Sequence, residues 1–177
     1  MRIIGGLARG TKLYTLEGKD TRPTLDRVRE SLFNILQNEI KDSKLLDLFS
    51  GSGAIGLESI SRGAKKAILC DKNKQAIQII NKNVEKLRVK EKVEVLCTDY
   101  EKYLNSTKEQ FEYIYIDPPY NTNYISNSIQ IINDKNLLTE KDEKERVEEE
   151  ISKLNVSINI YDTRKYGRAW LIFMRKE

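Results

Sequence analysis

The segment LDLFSGSGAIGLES, residues 46–59, reads as a strand, a glycine-rich turn and a helix in that order. Apolar residues lead into the turn, and Gly51, Gly53 and Gly56 follow at G-x-G-x-x-G spacing. Glycines let a ligand approach the backbone, and the N-terminus of the helix offers free N–H groups. The segment therefore predicts the first strand–helix unit of a parallel sheet with a ligand site at the turn, and a purely structural glycine turn is the alternative.

Short apolar runs alternate with amphipathic stretches on both sides of this segment. The four predicted strands and the two predicted helices between them cover residues 44–49, 54–61, 66–71, 74–87, 92–99 and 113–117. Strands that alternate with helices are typical of a parallel sheet with helices packed against it. We therefore expect an α/β, Rossmann-like fold with a mostly parallel sheet and helices on both faces.

The amino-terminal region carries a different pattern. Residues 2–16, RIIGGLARGTKLYTL, alternate like a small β-hairpin with Gly5-Gly6 or Arg9-Gly10 at its turn. The next stretch, residues 21–36, has apolar residues at helical spacing, and Thr24 is the expected N-cap. The sequence thus predicts a hairpin arm followed by a helix ahead of the sheet.

The carboxyl-terminal region is less regular. Ten of the eleven residues at 140–150 are charged, which is typical of a solvated helix or loop. Residues 156–163 and 168–175 then predict an antiparallel hairpin. A doubly wound sheet would place another buried strand after Leu138, but the charged run arrives directly. Either the sheet closes differently or a short segment is missing from the sequence, and we favour the second explanation.

The composition excludes several kinds of chemistry. The chain has 177 residues, no histidine and two cysteines, so it holds neither a Ser-His-Asp relay nor a closed zinc site built from cysteine and histidine. No apolar stretch approaches the ~20 residues that span a bilayer, and the N-terminus has no apolar segment of a secretory signal. We expect a cytoplasmic protein without a metal or a membrane partner, whose catalysis depends on carboxylates, tyrosines, backbone groups or a cofactor.

Positive charge is concentrated at the amino terminus. Residues 1–30 contain seven basic and four acidic side chains, a net charge of +3 out of the +4 of the whole chain. An asymmetric basic end is typical of a protein with a polyanionic partner. The imbalance is small, because 31 basic residues face 27 acidic ones overall. The chain as a whole is therefore no strong polyanion binder.

Three acidic residues follow the first three predicted strands. Asp47 lies at the end of the first strand, where its carboxylate would repel a pyrophosphate but attract the ammonium of a sulfonium amino acid. Asp71, 20 residues after Gly51, is placed to accept hydrogen bonds from a ribose. Asp99 could accept from an adenine amino group. These features favour S-adenosylmethionine over a nicotinamide dinucleotide as the ligand.

The fourth predicted strand ends in Asp117-Pro118-Pro119-Tyr120. Two prolines stop the strand and stiffen the loop, so its carbonyls and the Asp117 carboxylate form a ring of acceptors beyond the sheet. Such a ring suits the exocyclic amino group of a planar base, on which Tyr120 would stack. Two accepted hydrogen bonds would turn the nitrogen toward a methyl sulfonium, which is catalysis by positioning. A simple loop, in which Asp117 caps and Tyr120 packs, is the alternative.

Taken together, these motifs resemble those of class I S-adenosylmethionine-dependent amino methyltransferases. More specifically, the segments RIIGG, TRPTLDRVRESLFNIL, LDLFSGSGAIGLES and IDPPY are similar to those of the RsmD family. That family methylates the N2 amino group of one guanine in bacterial 16S ribosomal RNA. The resemblance covers residues 1 to about 138, and its amino-terminal part is the most discriminating.

The resemblance implies a role for individual residues. It implies contacts to S-adenosylmethionine, with S-adenosylhomocysteine as product, from Asp47, Ser50, Gly51, Gly53, Asp71 and Asp99. It implies contacts to the target base from Asp117, Pro118 and Tyr120, in a turn that Pro119 stiffens. It implies contacts to 16S RNA, within a 30S subunit or an assembly intermediate, from Arg2, Arg9, Lys12, Arg22, Pro23, Thr24 and Arg27. We expect a basic arm at residues 1–30 and a cofactor-binding methyltransferase domain at residues 31–177.

Some alternatives stay open on the sequence alone. Arg27 and Arg29 have the spacing of helix-surface arginines that merely pair with neighbours such as Glu30. An adenine-N6 DNA methyltransferase would use the same acidic proline turn, although it usually carries a further recognition domain. A non-catalytic RNA-binding or assembly factor could keep the fold, and a small nicotinamide oxidoreductase is the last alternative.

Overall fold

A computed structural model describes residues 1–16, 23–118, 123–139, 158–166 and 169–176 of the chain. The helices are α1 Pro23–Ile35, α2 Ala54–Ser61, α3 Lys74–Leu87, α4 Tyr100–Ser106 and α5 Tyr124–Asp134. The strands are β1 Lys44–Asp47, β2 Lys66–Asp71, β3 Val93–Cys97, β4 Tyr113–Tyr115, β5 Ile158–Tyr166 and β6 Ala169–Lys176. No helix among these residues combines the length and the apolar character needed to cross a bilayer.

The first four strands form one parallel sheet in the order β3-β2-β1-β4. In its centre, Leu45 pairs with Ala67 and Leu46 with Ile68. Strands β2 and β3 therefore lie on one side of β1, and β4 lies on its other side. Such a switch point between β1 and β4 opens a crevice at the carboxyl ends of the strands. Strands β5 and β6 pair antiparallel in a second sheet. The expected mostly parallel α/β sheet and the C-terminal hairpin are confirmed.

Alternate residues of the strands face two separate hydrophobic clusters, because successive side chains in a strand point to opposite faces. Helices α1, α2 and α3 cover one face, where buried residues include Phe33, Leu45, Leu57, Leu69 and Ile80. Helices α4 and α5 cover the other face, where they include Leu46, Ile68, Leu104, Ile129 and Ile132. The expectation of helices on both faces is confirmed.

The third glycine of the G-x-G-x-x-G segment sets how closely α2 approaches the sheet. A Cβ atom on Gly56 would lie 2.1 Å from Cδ2 of Leu69 and 3.5 Å from Cβ of Ala67. A larger residue would therefore require the buried Leu69 side chain to shift or α2 to move away from β2. This contact brings the start of α2, and the turn that precedes it, against the carboxyl end of the sheet.

Residues 1–16 form the expected amino-terminal hairpin, which is held by an isolated antiparallel bridge between Arg2 and Lys12 and not by regular strands. A buried carboxylate fixes this hairpin to α2. Glu58 is fully buried and accepts hydrogen bonds from the backbone N–H groups of Ile4 and Gly5, both at 2.7 Å. One of its oxygens also accepts from Nε of Arg62 at 2.8 Å. A buried carboxylate with this many donors is well satisfied, so the hairpin and α2 are joined by charge-assisted hydrogen bonds.

A second polar side chain joins the hairpin to α3. The buried Asn83 accepts from the Tyr14 N–H at 2.8 Å and donates to the Tyr14 carbonyl at 3.0 Å. Its amide nitrogen also donates to the Ser52 carbonyl in the glycine turn, at 3.0 Å. Asn83 thereby fixes the far end of the hairpin and the glycine turn to the same helix.

The observed elements match the predicted ones closely inside the sheet and less closely at its edges. Helices α2 and α3 and strand β2 have the predicted bounds, whereas β1 ends at Asp47 because the next residues already turn toward Gly51. The prediction of Thr24 as an N-cap is wrong, since α1 begins at Pro23 and Thr24 lies inside it. Proline is favoured at the first position of a helix, where its missing N–H group has no partner to lose.

The turn of the amino-terminal hairpin contains Gly6 and Gly10, both of which have positive φ angles. The expected domain boundary at residue 30 falls inside α1. Leu138 forms a parallel bridge with Phe111 beside β4. This is the place where the further strand of the parallel sheet that is expected after Leu138 would begin. The charged residues 140–150 lie outside the described part of the chain.

Candidate functional site

A cavity of 280 Å³ lies at the switch point, beyond the carboxyl ends of β1 and β4. Of the residues that the sequence nominated, it is lined by Asp47, Ser50, Gly51 and Asp117. The remaining lining residues were not singled out individually for this site from the sequence, and they are Met1, Thr15, Leu16, Val28, Arg29, Phe49, Ser52, Ala54, Ile55 and Tyr115. The hairpin and α1 therefore form one wall of the cavity, and the glycine turn and β4 form the other.

The glycine turn has a backbone that only glycine adopts easily. Gly51 and Gly53 have φ angles of 56° and 78°, in the left-handed region. A Cβ atom on Gly53 would approach Leu69 to 3.2 Å, whereas one on Gly51 would meet nothing within 4 Å. Gly53 is therefore favoured by its positive φ, and a side chain there would also press against Leu69 and Ile80. The open space beside Gly51 belongs to the cavity wall, where a ligand can approach the backbone.

Asp47 is the most unusual group in the cavity. Its side chain is 1% exposed, and neither carboxylate oxygen has a hydrogen-bond partner among the described residues. The Ser50 hydroxyl, 2.9 Å away, donates to the backbone carbonyl of Asp47 and not to its carboxylate. Burial, followed by the nearby carboxylates of Asp117 and Asp71, raises the pKa of Asp47 to about 8. A carboxylate in this state is suited to a cationic hydrogen-bond donor on a ligand.

Asp71 and Asp99 stand at the same edge of the sheet but do not line the cavity. Asp71 accepts from the Gly51 N–H at 2.9 Å and from the Asn73 N–H at 2.8 Å, so it holds the glycine turn against the start of α3. Asp99 accepts from the Glu101 N–H at 3.0 Å and caps α4. Each oxygen of an ionised carboxylate has a second lone pair, so both residues can accept a further hydrogen bond. Their contacts to a ligand stay predictions.

Asp117 lies two residues beyond the end of β4, whose last residue, Tyr115, pairs with Asp47 in the sheet. Although part of the residue is open to solvent, desolvation against the cavity wall raises the pKa of its carboxyl group. A hydrogen bond from the Tyr115 hydroxyl acts in the opposite direction. Burial, and then the carboxylates of Asp117 and Asp47, raise the pKa of Tyr115 itself, so this phenol stays a donor. Pro118 is half-buried, and Pro119 and Tyr120 lie outside the described residues.

An aromatic cluster continues the cavity wall toward α5. The rings of Phe49 and Tyr124 are parallel with centroids 6.0 Å apart, and Tyr100 lies 5.2 Å from the first and 5.0 Å from the second. Nζ of Lys72 lies 5.6 Å from the centroid of the Tyr124 ring. Helical spacing alone did not indicate that these rings would meet beside the glycine turn.

The basic residues of the amino terminus divide into two groups. Arg2, Arg9, Lys12 and Arg27 are exposed, so they are available to a polyanion, whereas Arg22 lies outside the described residues. The expectation that Arg29 lies on the helix surface is wrong, since it is 3% exposed and pairs with Asp26 at 3.1 Å. Arg29 is buried because α1 turns this face toward the hairpin and the cavity.

No cluster of three or more potential metal ligands occurs within the described part of the chain.

Comparison with known proteins gives consistent results. The family model described as conserved hypothetical protein 95 matches residues 1–175. The ribosomal RNA small subunit methyltransferase D of Haemophilus influenzae is 38% identical over 141 residues, which cover 78% of this chain and 73% of the relative. The protein of the same name from Escherichia coli is 36% identical and is covered to 71%. A solved structure of the candidate methyltransferase yhhF from Escherichia coli superposes with a TM-score of 0.83 at 30% identity, covering 100% of this chain and 98% of the other.

Proposed function

The chain belongs to the RsmD family, and on that basis we propose that it transfers a methyl group from S-adenosylmethionine to the N2 amino group of a guanine in 16S ribosomal RNA. One observation supports the proposal independently of the family to which the chain belongs. The buried Asp47, whose carboxylate has no partner in the described structure, shares one cavity with Asp117 at the end of the neighbouring strand. A site for a cationic ligand and a site for an amino group therefore lie next to each other.

The residues of the cavity fit S-adenosylmethionine in three respects. The two free oxygens of Asp47 match the ammonium of its amino-acid end, and the open space at Gly51 allows a close approach to the backbone. Asp71 and Asp99 retain acceptor capacity for a ribose hydroxyl and an adenine amino group. When bound, this cofactor supplies an electrophilic methyl group on a sulfonium.

The protein then has to present the nucleophile and remove one proton. The Asp117 carboxylate, with the carbonyls of its proline turn, accepts N–H hydrogen bonds from the exocyclic amino group and directs the nitrogen lone pair toward the cofactor site. Methyl transfer would break the carbon–sulfur bond, leave S-adenosylhomocysteine, and require the amino nitrogen to release one proton. Asp117 can hold that proton at its carboxylate, because its pKa is raised. No histidine is needed for this sequence of events.

The proposal is tested by offering several acceptors to the same protein. Labelled S-adenosylmethionine is incubated with 30S subunits, with naked 16S RNA and with DNA, and the label in each acceptor is counted. We expect label in one of the two RNA acceptors, and the better one identifies the assembly stage at which the protein acts. Label in DNA alone would favour the adenine-N6 alternative. Cofactor binding without transfer to any of the three would favour a non-catalytic binding factor.

Cofactor binding should depend on pH through Asp47. With a pKa of about 8, Asp47 is protonated in the free protein at lower pH, and it must lose this proton to pair with an ammonium. The affinity for S-adenosylhomocysteine should therefore rise as the pH is raised toward about 8, by up to about tenfold per unit. Above about pH 8 Asp47 is already ionised in the free protein, so the gain should end there. Isothermal titration calorimetry over this range measures the slope.

The control for this prediction is Asp47→Asn, which has the same size but does not titrate. This variant should bind more weakly and with little dependence on pH in the same range. An affinity of the parent protein that stays flat below pH 8 would show that Asp47 does not pair with the ammonium.

The exposed cations of the hairpin should contribute to RNA binding. Replacing Arg2, Arg9 and Lys12 together with alanine should weaken binding to 16S RNA and reduce the slope of log affinity against log salt by up to about 2 to 3, at roughly 0.7 to 0.9 per phosphate contact. Filter binding at several salt concentrations measures both quantities. Cofactor affinity should remain within about twofold, since these side chains point to solvent.

A matched control removes three exposed lysines elsewhere on the surface, at Lys82, Lys90 and Lys92. This control has the same loss of net charge, so it should change the salt slope far less than the hairpin variant does. Equal slopes for both triple variants would remove the hairpin from the RNA interface.

A further inference from the structure

Arg29 is a buried cation on the cavity wall that the mechanism above does not use. It projects from α1, is 3% exposed and lines the same cavity as Asp47. Its Nη2 atom donates to the Arg2 carbonyl at 2.5 Å and to Oδ1 of Asp26 at 3.1 Å. Its Nε atom is buried and has no hydrogen-bond partner within the described structure. A guanidinium that is buried with one donor unused is costly unless a ligand or another group completes it.

The nearest buried carboxylate does not complete Arg29. Oε2 of Glu58 lies 3.8 Å from its Nε atom, which is beyond hydrogen-bond distance. Glu58 is already occupied, because it accepts from two backbone N–H groups of the hairpin and from Arg62. The other anionic neighbour, Asp26, is 46% exposed and contacts only the opposite end of the guanidinium. The Nε donor of Arg29 is therefore buried without a hydrogen bond, in a residue that lines the cavity.

The unused groups of this cavity have opposite charges. Within the described residues, four buried side-chain polar atoms have no partner, and three of them are Nε of Arg29 and the two carboxylate oxygens of Asp47. Both residues line one cavity of 280 Å³. A cavity with one unpartnered anion and one cation that has an unused donor is complementary to a zwitterion. An α-amino acid group carries both charges on one carbon atom.

We propose that Arg29 binds the carboxylate of the amino-acid end of the cofactor, while Asp47 binds its ammonium. This inference rests on the proposed function, since it assigns a further binding residue within the same site. Arg29 is then the residue by which the protein selects ligands that keep the carboxylate. Nucleosides without an amino-acid end, such as methylthioadenosine, and decarboxylated forms of the cofactor lose this contact.

The test compares ligands that differ in the carboxylate. Isothermal titration calorimetry is carried out with S-adenosylhomocysteine, with its decarboxylated analogue and with methylthioadenosine. The parent protein should bind the decarboxylated analogue at least about 10-fold more weakly than S-adenosylhomocysteine, as expected for loss of a charge-assisted hydrogen bond. Arg29→Gln should weaken binding of S-adenosylhomocysteine by a similar factor and leave the decarboxylated analogue within about twofold. Lys82→Gln, an exposed change of equal charge, should affect neither ligand.

The outcomes separate this inference from the proposed function. Equal weakening of all ligands by Arg29→Gln would mean that Arg29 only supports the fold, and the inference would be wrong. If the variant does not fold, as judged by its thermal transition, the ligand series on the parent protein decides alone. Equal affinity of the parent for S-adenosylhomocysteine and its decarboxylated analogue would overturn the inference while leaving the cofactor site intact. If the parent binds none of the ligands, the proposed function itself fails.

Discussion

Asp117→Ala should lower the rate of methyl transfer by at least about 100-fold, which is the usual effect of removing one well-placed polar group from a transition state. Without the carboxylate, the target amino group loses the acceptor that turns its lone pair toward the cofactor site and the group that can hold the released proton. Affinity for S-adenosylhomocysteine should stay within a few-fold, because the ammonium site is Asp47 and not Asp117. Single-turnover transfer to the preferred RNA acceptor and calorimetric binding measure the two quantities separately.

The same variant offers a second measurement that a general loss of structure would not produce. The negative charge of Asp117 contributes to the raised pKa of Asp47. Its removal should therefore shift the rise of cofactor affinity with pH to a lower pH. Asp117→Asn, which keeps the size and some hydrogen bonding, should show the same shift. If Asp117→Ala retains near-parental turnover, the role assigned to the acidic proline turn is wrong.

Gly6→Ala should destabilise the protein and release the hairpin from α2. Gly6 has φ +73°, and a Cβ atom there would lie 1.9 Å from the carbonyl oxygen of Ser61 and 2.7 Å from the Arg62 nitrogen. The backbone of α2 cannot yield as a flexible side chain would, so the hairpin tip must move away. This movement would break the hydrogen bond from the Leu7 N–H to the Ser61 carbonyl, which is 2.8 Å long. Thermal unfolding of the variant measures the loss of stability.

Gly10→Ala provides a matched control for this prediction. Gly10 lies in the same turn at φ +85°, but a Cβ atom there would meet nothing within 4 Å. Its substitution should cost only the strain of a left-handed alanine, roughly 1 to 2 kcal/mol. Gly6→Ala should cost at least about 2 kcal/mol more, the scale of overpacking against fixed atoms. Equal transition temperatures for the two variants would mean that the hairpin does not depend on its contact with Ser61.

The local sequence pattern was sufficient for the core of the fold. Helix α3 has the predicted bounds because its apolar residues recur at helical spacing and Asn73 caps its start, accepting from the Gln75 N–H at 2.8 Å. Asp47 and Gly51 could be placed on the ligand cavity, because the end of a parallel strand and the following glycine turn have a fixed relation to the sheet. These features depend on residues that are close together in sequence, so the sequence alone predicts them.

The hairpin contacts could not be predicted in the same way. Glu58 stands in α2 as one charged residue among apolar ones, and nothing adjacent in sequence shows that it binds the N–H groups of Ile4 and Gly5. Asn83 in α3 is similar, since its partners at Tyr14 and Ser52 are distant along the chain. Burial of a polar side chain can be predicted only when its hydrogen-bond partners are known, because a polar group without a partner is costly to bury. The burial of Arg29 was missed for this reason.

The most direct test of the central claim is the identity of the methylated nucleoside. After transfer from labelled S-adenosylmethionine, the preferred RNA acceptor is digested to nucleosides, which are separated and identified by mass spectrometry. We expect the label in N2-methylguanosine, and we expect Asp117→Ala to abolish it. Label in N6-methyladenosine, or in a methylated base carbon or ribose, would contradict the assignment of the Asp117 turn to the amino group of guanine.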